Sequence, residues 1–331
     1  MKRLLIVILT AATLWSAYWI YGARQVGAGY EAWLQARTSE GWVAQTDEMK
    51  VRGYPNRLDT TFTMLELADP DSGLAWTMPF FQLLSLSYQP NHVIAVWPHD
   101  QRISTPDHKY DLQSDRMRAS MVFDETGSLS LNRSNLELLG GELRSGTATL
   151  AQVSTLNVAV IRQSTADPLY RLSAKAEGLS VQDLQGSSTP SPLPETFDTA
   201  EADLLIGFDK PWDGLALSDT RPQPTSLDIR HAELLWGDLR LRAAGTLTID
   251  ATGTPTGDMS FRVENWKDIL ALAERSGQVS PAILSTLKQG LTMLSGLSGN
   301  ANTLDIPLKL RGGLIYLGPI PIGKSPKLVI R

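Results

Sequence analysis

Residues 239–266 alternate apolar and polar side chains with a period of two, and this pattern commits the segment to β-structure. Its first half carries apolar residues at every second position, namely Leu239, Leu241, Ala243, Gly245, Leu247 and Ile249. A stretch rich in Gly, Thr and Pro follows at 251–258, and the alternation resumes at Met259, Phe261 and Val263. The segment therefore predicts a β-hairpin with one apolar face, and that face must lie against something.

Short alternating segments separated by turn residues recur along most of the chain after residue 42, for example at 61–68 and 170–177. This spacing favours antiparallel sheet over alternating βαβ units. We predict a mainly β fold with large, twisted antiparallel sheet able to form a groove. Apolar residues at helical spacing predict two helices in the second half of the chain, near 266–275 and 281–297.

The start of the chain contains a run without charge that is long enough to cross a membrane. Lys2 and Arg3 precede this run, which extends from Leu4 to Tyr21 and would be about 27 Å long as a helix. Aromatic side chains crowd its far end, where an interfacial belt would lie. The two basic residues favour a cytoplasmic N-terminus, with the bulk of the chain on the other side of the membrane.

A cleaved signal peptide and a buried core helix are the alternatives for this run. The run is longer than the usual apolar region of a signal peptide, and bulky Tyr21 spoils a small-x-small cleavage site ending at Ala23. A core helix would need a polar face, and no charged residue occurs between Arg3 and Arg24. We therefore expect an uncleaved single-pass anchor in the inner (cytoplasmic) membrane, with the rest of the protein in the periplasm.

The composition divides the chain into five segments. They are a transmembrane anchor (1–23), a juxtamembrane helix (24–41), a β-rich first half (42–185), a Pro-rich loop or linker (186–197) and a β-rich second half with the two predicted helices (198–331). The loop assignment rests on three prolines in ten residues, which forbid regular strand pairing there. Whether the two halves make one domain or two is open at this point.

Charge and residue usage exclude several classes of function. The chain has 30 Lys and Arg against 35 Asp and Glu, a net charge of −5, with both signs interspersed. A nucleic-acid partner would require a basic patch, so we expect none. The chain has no Cys, which excludes disulfides, thiolate metal sites and Cys nucleophiles. It also has no phosphate-binding loop and no dinucleotide fingerprint, so we expect no cofactor.

Two dipeptides, His99-Asp100 and Asp107-His108, form the arrangement that most resembles a metal site. Two imidazoles and two carboxylates could bind zinc. A neighbouring Pro marks each dipeptide as loop, however, and the remaining histidines belong to separate strand segments. We expect no metal site. The chain also lacks a Gly-x-Ser-x-Gly nucleophile elbow, and we expect no catalytic residue and no enzymatic activity.

Three stretches resemble a bacterial protein family. They are "GYPNRLD" at 53–59, "ISTPDHKYDLQSDRMRASMVF" at 103–123 and the segment at 234–266, which is followed by a Gly-Pro tail at 318–319. The chain resembles the family called domain of unknown function 2125 over nearly its whole length after the anchor. The resemblance implies a membrane-anchored envelope protein and carries over no catalytic residue. More distantly, the Gly-x-Leu strands are similar to AsmA-like envelope proteins, in which long sheets form an apolar groove that handles lipids.

The first of these stretches also has a physical interpretation. Gly53 and Pro55 interrupt strand-like sequence, which predicts a kink that leads into a strand. Tyr54 between them is expected to pack at the corner.

We expect a non-enzymatic, membrane-anchored envelope protein that binds lipid or acyl chains in an apolar β groove. The residues expected to line the groove are Leu239, Leu241, Leu247, Ile249, Phe261 and Val263. The alternative is a periplasmic scaffold that binds other envelope proteins and has no ligand groove. An exposed apolar strip of more than a few hundred Å² would favour the groove over the scaffold.

Overall fold

The computed structural model describes residues 1–125, 129–181, 194–214, 221–268 and 302–330. These residues contain one long helix, α1 (Lys2–Ser39), and strands that pair antiparallel throughout. The predicted mainly β, antiparallel fold with an apolar N-terminal helix is confirmed.

The strands are numbered in chain order. The first nine are β1 (Val43–Gln45), β2 (Glu48–Arg52), β3 (Asp59–Ala68), β4 (Ala75–Leu86), β5 (Gln89–Trp97), β6 (Asp100–Ser104), β7 (Lys109–Gln113), β8 (Arg116–Phe123) and β9 (Leu131–Ser145). The next nine are β10 (Ala148–Arg162), β11 (Leu169–Val181), β12 (Phe197–Phe208), β13 (Pro224–Trp236), β14 (Leu239–Ile249), β15 (Pro255–Glu264), β16 (Thr303–Arg311), β17 (Leu314–Leu317) and β18 (Ile320–Lys324).

The chain divides into two compact units. Unit 1 contains Met1–Glu125 and Asn135–Thr149, and unit 2 contains Thr126–Ser134 and Leu150–Arg331. Helix α1 and strands β1–β8 therefore belong to unit 1, and strands β11–β18 belong to unit 2.

In unit 1, the second half of α1 packs on an aromatic-rich core. Phe62, Leu65 and Met78, from β3 and β4, are buried. Tyr30 and Leu34 of α1 pack against this cluster, and the Tyr30 ring meets the Phe62 ring edge-on at 5.5 Å between centroids. Burial raises the pKa of the Tyr30 phenol above its ordinary value. The helix is therefore part of the folded core of unit 1.

The end of α1 is held by a buried arginine. A guanidinium nitrogen of Arg37 lies 2.6 Å from a carboxylate oxygen of Glu40, and its charge lies 5.8 Å from the ring centroid of Trp42. A cation in the last turn also suits the partial negative charge at a helix C-terminus. These contacts stabilise the C-terminal end of the helix, shortly before β1.

The first part of α1 has a different environment. Residues 1–15 are all exposed, including Leu4, Leu9 and Leu14. Among the described residues, α1 is the one helix that is long and apolar enough to cross a membrane. It is continuous across the predicted anchor (1–23) and the predicted juxtamembrane helix (24–41).

Unit 2 contains a meander in which each strand from β10 to β18 pairs with the next along the chain. The hairpin predicted at 239–266 is present as β14 and β15, with Leu241 opposite Val263 and Ala243 opposite Phe261. The register is interrupted in β13 between Ile229 and Ala232, where one extra residue makes a bulge.

Part of the predicted organisation lies outside the described residues. The helix predicted near 281–297 lies wholly outside them, and of the helix predicted near 266–275 the structure describes residues 266–268. Of the Pro-rich loop at 186–197, the structure describes residues 194–197.

The aromatic core of unit 1 gives a first prediction. Phe62 is 4% exposed and contacts rings from both α1 and β4, so Phe62→Ala should leave a cavity that the helix cannot fill. We expect a loss of about 3–5 kcal/mol in the free energy of unfolding, measured by urea denaturation in detergent. Leu74→Ala, in the exposed turn before β4, is the matched control and should lose less than about 1 kcal/mol. Equal losses for the two variants would contradict the packing of α1 on this core.

Candidate functional site

The register of unit 2 sorts side chains into an apolar face and a charged face. On the apolar face, the directly opposite pairs Ala174–Ala202, Ala202–Ala232 and Ala232–Ala243 form a continuous line across four strands. We call these four residues the alanine row. Because neighbouring strands lie about 4.8 Å apart, the row spans roughly 14 Å.

Longer apolar side chains border the alanine row along one side, and in two of its four strands along the other. Leu172, Leu204 and Ile229 pair with one another on one side of it. Leu234 and Leu241 pair on the other side, where the line continues with Ala200 in β12 and Ala176 in β11. Since alanine side chains are much shorter than leucine side chains, the row is the floor of a shallow apolar trough.

The trough is neither sealed nor fully open. The residues of the row and of both borders are half-buried, and they are Leu172, Ala174, Ala202, Leu204, Ile229, Ala232, Leu234, Leu241 and Ala243. Towards β15 and β16 the line continues with the bulkier Phe261 and Ile306, which closes that end of the floor. An elongated apolar group of small cross-section is the kind of ligand that such a surface accommodates.

The residues that were predicted to line a groove fall into two groups. Leu239, Leu247, Ile249 and Val263 are buried, each less than a tenth exposed. Leu241 and Phe261 are half-buried, and both lie beside the alanine row or in line with it.

One end of the apolar face is a closed hydrophobic cluster. Leu239 and Val263 belong to it, with aromatic residues from three other parts of the chain. Its buried members are Phe197, Trp236, Leu239, Val263, Trp266 and Leu304. The ring centroids of Phe197 and Trp236 are 4.6 Å apart, and the indole N–H of Trp236 donates to the carbonyl oxygen of Pro194 at 2.8 Å. This cluster makes Leu239 and Val263 part of a core.

The opposite face of the same strands carries cross-strand ion pairs. Arg171 donates twice to the carboxylate of Asp203, at 2.8 and 2.7 Å, and Arg262 donates twice to that of Asp305, at 2.7 and 3.0 Å. Hydrogen bonds from these guanidinium groups lower the pKa of both carboxyl groups. Nearly all the charges of these strands thus lie on the face turned away from the trough.

Sequence reasoning missed the alanine row. Its residues come from four strands and are separated by 28, 30 and 11 positions in the sequence, and alanines do not produce a strong apolar signal. The available sign was the Ala-x-Ala spacing in two successive strands, at 174–176 and 200–202. Only the pairing register shows that these alanines are neighbours.

Unit 1 contains a polar cleft with a volume of about 440 Å³, lined in part by Asp100, Arg102, Asp111 and Gln113. Its carboxylates are engaged, because Arg102 donates to Asp111 at 2.9 Å and Gln113 donates to Asp100 at 2.9 Å. Such paired carboxylates make a cross-strand polar network.

The structure places the two His-Asp dipeptides in separate local contacts. A ring nitrogen of His99 lies 2.8 Å from the carbonyl oxygen of Ser114, and the His108 ring stacks on Tyr110 at 6.1 Å between centroids. In the part of the chain that the structure describes, no group of three or more His, Asp or Glu side chains is arranged to hold a metal ion.

The fold and the site together define an antiparallel β protein with an N-terminal helix of membrane-spanning length. Comparison with known families assigns it more closely. The model of the family described as "Uncharacterized protein conserved in bacteria (DUF2125)" matches residues 19–326, so the chain belongs to that family and the predicted membership is confirmed. No curated protein and no solved structure matches the chain.

The charged face gives a second prediction. The pKa of Asp203 is lowered in the folded protein, so its pair with Arg171 stabilises the fold above the unfolded pKa of about 3.9 and is lost as the pH falls through the lowered folded value. Asp203→Asn should therefore be less stable than wild type at neutral pH, and the difference should shrink below about pH 4. Urea denaturation across this pH range measures it. Ser173→Ala, opposite Asp203 in the register, is an uncharged control whose effect should not vary with pH.

Proposed function

We propose that this protein is a membrane-anchored envelope protein that binds acyl chains on the apolar face of unit 2 and catalyses no reaction. The observation that carries this proposal is the alanine row between its borders of longer apolar residues. The row is half-buried in unit 2, whereas the charges of the same strands are paired on the opposite face.

The chemistry of the trough supports an acyl chain as the ligand. Its floor and borders offer no charged group, so a polar ligand would lose hydration there without gaining partners. An acyl chain gains about 0.8 kcal/mol for each methylene group that it buries. The roughly 14 Å length of the alanine row allows several methylenes to be buried side by side with alanine methyl groups.

A membrane location would bring the trough close to its ligand. We propose that α1 anchors the protein in the inner membrane, with Lys2 and Arg3 on the cytoplasmic side and the β-rich body in the periplasm. Retention of the helix is supported by its contacts before Arg24, because the indole N–H groups of Trp15 and Trp19 donate to a loop of unit 1. The partners proposed are therefore the membrane and its lipids, and no nucleic acid.

We propose that the protein catalyses no reaction because the acidic side chains of the cleft in unit 1 are already engaged in hydrogen bonds. In the polar cleft of unit 1, Asp100 and Asp111 each accept a hydrogen bond from a neighbouring side chain. Both carboxylates are thus already engaged in cross-strand hydrogen bonds.

The alternative function is a periplasmic scaffold for other envelope proteins. The observation that favours it is the closed cluster around Leu239 and Val263, since a fully covered apolar face would leave no place for a ligand. In that case the half-buried alanine row would have a structural role only. The likeness to AsmA-like proteins supports the first proposal and stays a prediction.

The two functions predict different results when the trough is filled. Ala243→Phe places a ring on the floor of the trough, whereas Ala244→Phe places the same ring on the opposite face, next to Ser260. If acyl chains bind in the trough, Ala243→Phe should lose several-fold of the lipid that co-purifies with the detergent-released protein, measured by native mass spectrometry. Ala244→Phe should retain it.

Thermal unfolding of both variants separates loss of ligand from loss of fold. Both should remain folded, because each residue is half-buried and its neighbours leave room to adjust. Equal lipid content in the two variants, or wild-type protein without any bound lipid, would contradict the trough and favour the scaffold.

The anchor proposal has its own test. Mass spectrometry of the mature protein in the membrane fraction should detect the segment from Leu4 to Arg24. A mature protein that begins near Arg24 would show that the segment is removed as a signal peptide.

A further inference from the structure

The loop between β2 and β3 holds the aromatic part of α1. The indole N–H of Trp15 donates to the carbonyl oxygen of Pro55 at 2.9 Å, and that of Trp19 donates to the carbonyl oxygen of Arg57 at 2.6 Å. All four residues belong to unit 1. The loop is therefore attached to α1 over more than one helical turn.

A second loop, between β4 and β5, makes a similar contact. The hydroxyl of Tyr18 donates to the carbonyl oxygen of Ser87 at 2.6 Å. The hydroxyls of Ser16 and Tyr54 share a hydrogen bond of 2.7 Å, and the Tyr54 ring meets the Trp19 ring edge-on at 5.5 Å. We call the two segments Tyr54–Arg57 and Ser87–Tyr88 the rim loops.

These contacts limit how much of α1 is free to cross a membrane. From Trp15 onwards the helix is bound to unit 1, while the residues before it are exposed. The free apolar part, from Leu4 to Leu14, is about 16 Å long, and a bilayer core is about 30 Å thick. Between the charged residues Arg3 and Arg24 the helix measures about 30 Å, which matches that thickness.

The helix therefore fits a bilayer only if residues after Leu14 also lie at membrane depth. The rim loops are hydrogen-bonded to those residues and must lie at the same depth. We propose that the rim loops are a membrane-contact surface, inserted at the boundary between headgroups and acyl chains of the leaflet next to unit 1. This inference rests on the proposed anchoring by α1 and is independent of the trough in unit 2.

The side chains of the rim loops suit a lipid interface. Tyr54 is 56% exposed and Tyr88 is 62% exposed, and tyrosine is enriched at the headgroup level of membranes. The guanidinium of Arg57 is half-exposed and paired with Asp59 at 2.7 Å, which leaves further N–H groups for a lipid phosphate. Pro55 and Asn56 complete an exposed, largely uncharged tip.

Backbone groups of the rim loops also form hydrogen bonds within the protein, as a region with little water requires. The amide of Arg57 donates to the carbonyl of Gly53, and the amide of Ser87 donates to the carbonyl of Asn56, each at 2.8 Å. The carbonyls of Pro55, Arg57 and Ser87 accept from the aromatic residues of α1. An unpaired backbone group is costly in lipid, and these internal bonds remove that cost for the groups that they pair.

The backbone of Gly53 is what allows this loop to close. Its φ is +108°, and a Cβ there would lie 2.6 Å from the Cβ of Arg57. Any other residue would therefore push the loop open and move its carbonyls away from the indoles.

The absence of native cysteine allows a direct measurement of depth. Single-cysteine variants Asn56→Cys and Tyr88→Cys report on the rim loops, and Leu9→Cys reports on the helix. Ser72→Cys, in the turn at the other end of β3, is the control, since ten strand residues place it roughly 33 Å from the rim loops. Each full-length variant is labelled with an environment-sensitive fluorophore and placed in phosphatidylethanolamine–phosphatidylglycerol vesicles that contain a lipid quencher near the headgroup.

We expect quenching and a blue-shifted emission for the labels at 56 and 88, a blue-shifted emission for the label at 9, and neither effect at 72. A lipid-buried label at 9 with unquenched labels at 56 and 88 would overturn the rim proposal and leave anchoring intact. A water-exposed label at 9 would overturn anchoring and the rim proposal together. Quenching at 72 equal to that at 56 and 88 would also overturn it, because the contact would then not be confined to the rim loops.

Discussion

Antiparallel pairing in one register is the constraint on which the properties of unit 2 depend. Because successive side chains of a strand point to opposite faces, the register decides which residues of neighbouring strands meet. It brings Ala174 to Ala202 on one face and Arg171 to Asp203 on the other. A slip of one residue between two strands would place arginines among the leucines, and the ion pairs on the charged face act against such a slip.

In unit 1, the two halves of helix α1 have different properties. Its second half is a core element, with Tyr30 and Leu34 on the Phe62 cluster, and its first half has the length and composition of a membrane span. The aromatic residues between the two halves bond to the rim loops. The proposed anchor is therefore bonded directly to the β-rich part of unit 1.

The sequence predicted individual helices and strands better than it predicted which strands lie next to one another. The period of two located the hairpin of β14 and β15, and the charge-free run located the apolar helix, because both patterns are local. The trough was not predictable in this way, since it depends on pairings such as Ala202 with Ala232 and on the bulge beside Ile229. Leu239 and Val263 were expected in a groove but are buried by Phe197 and Trp236, whose positions follow from long-range pairing.

Both proposed lipid contacts depend on the same physical requirement. A protein surface can face lipid only where its polar groups are already satisfied or are absent. In the rim loops, the backbone carbonyls of Pro55 and Arg57 accept hydrogen bonds from the indole N–H groups of α1. In unit 2, Arg171 and Arg262 pair with carboxylates on the opposite face, and few charges lie on the face with the alanine row. The apolar surfaces of this protein are therefore as much a product of where its polar groups are bonded as of its apolar residues.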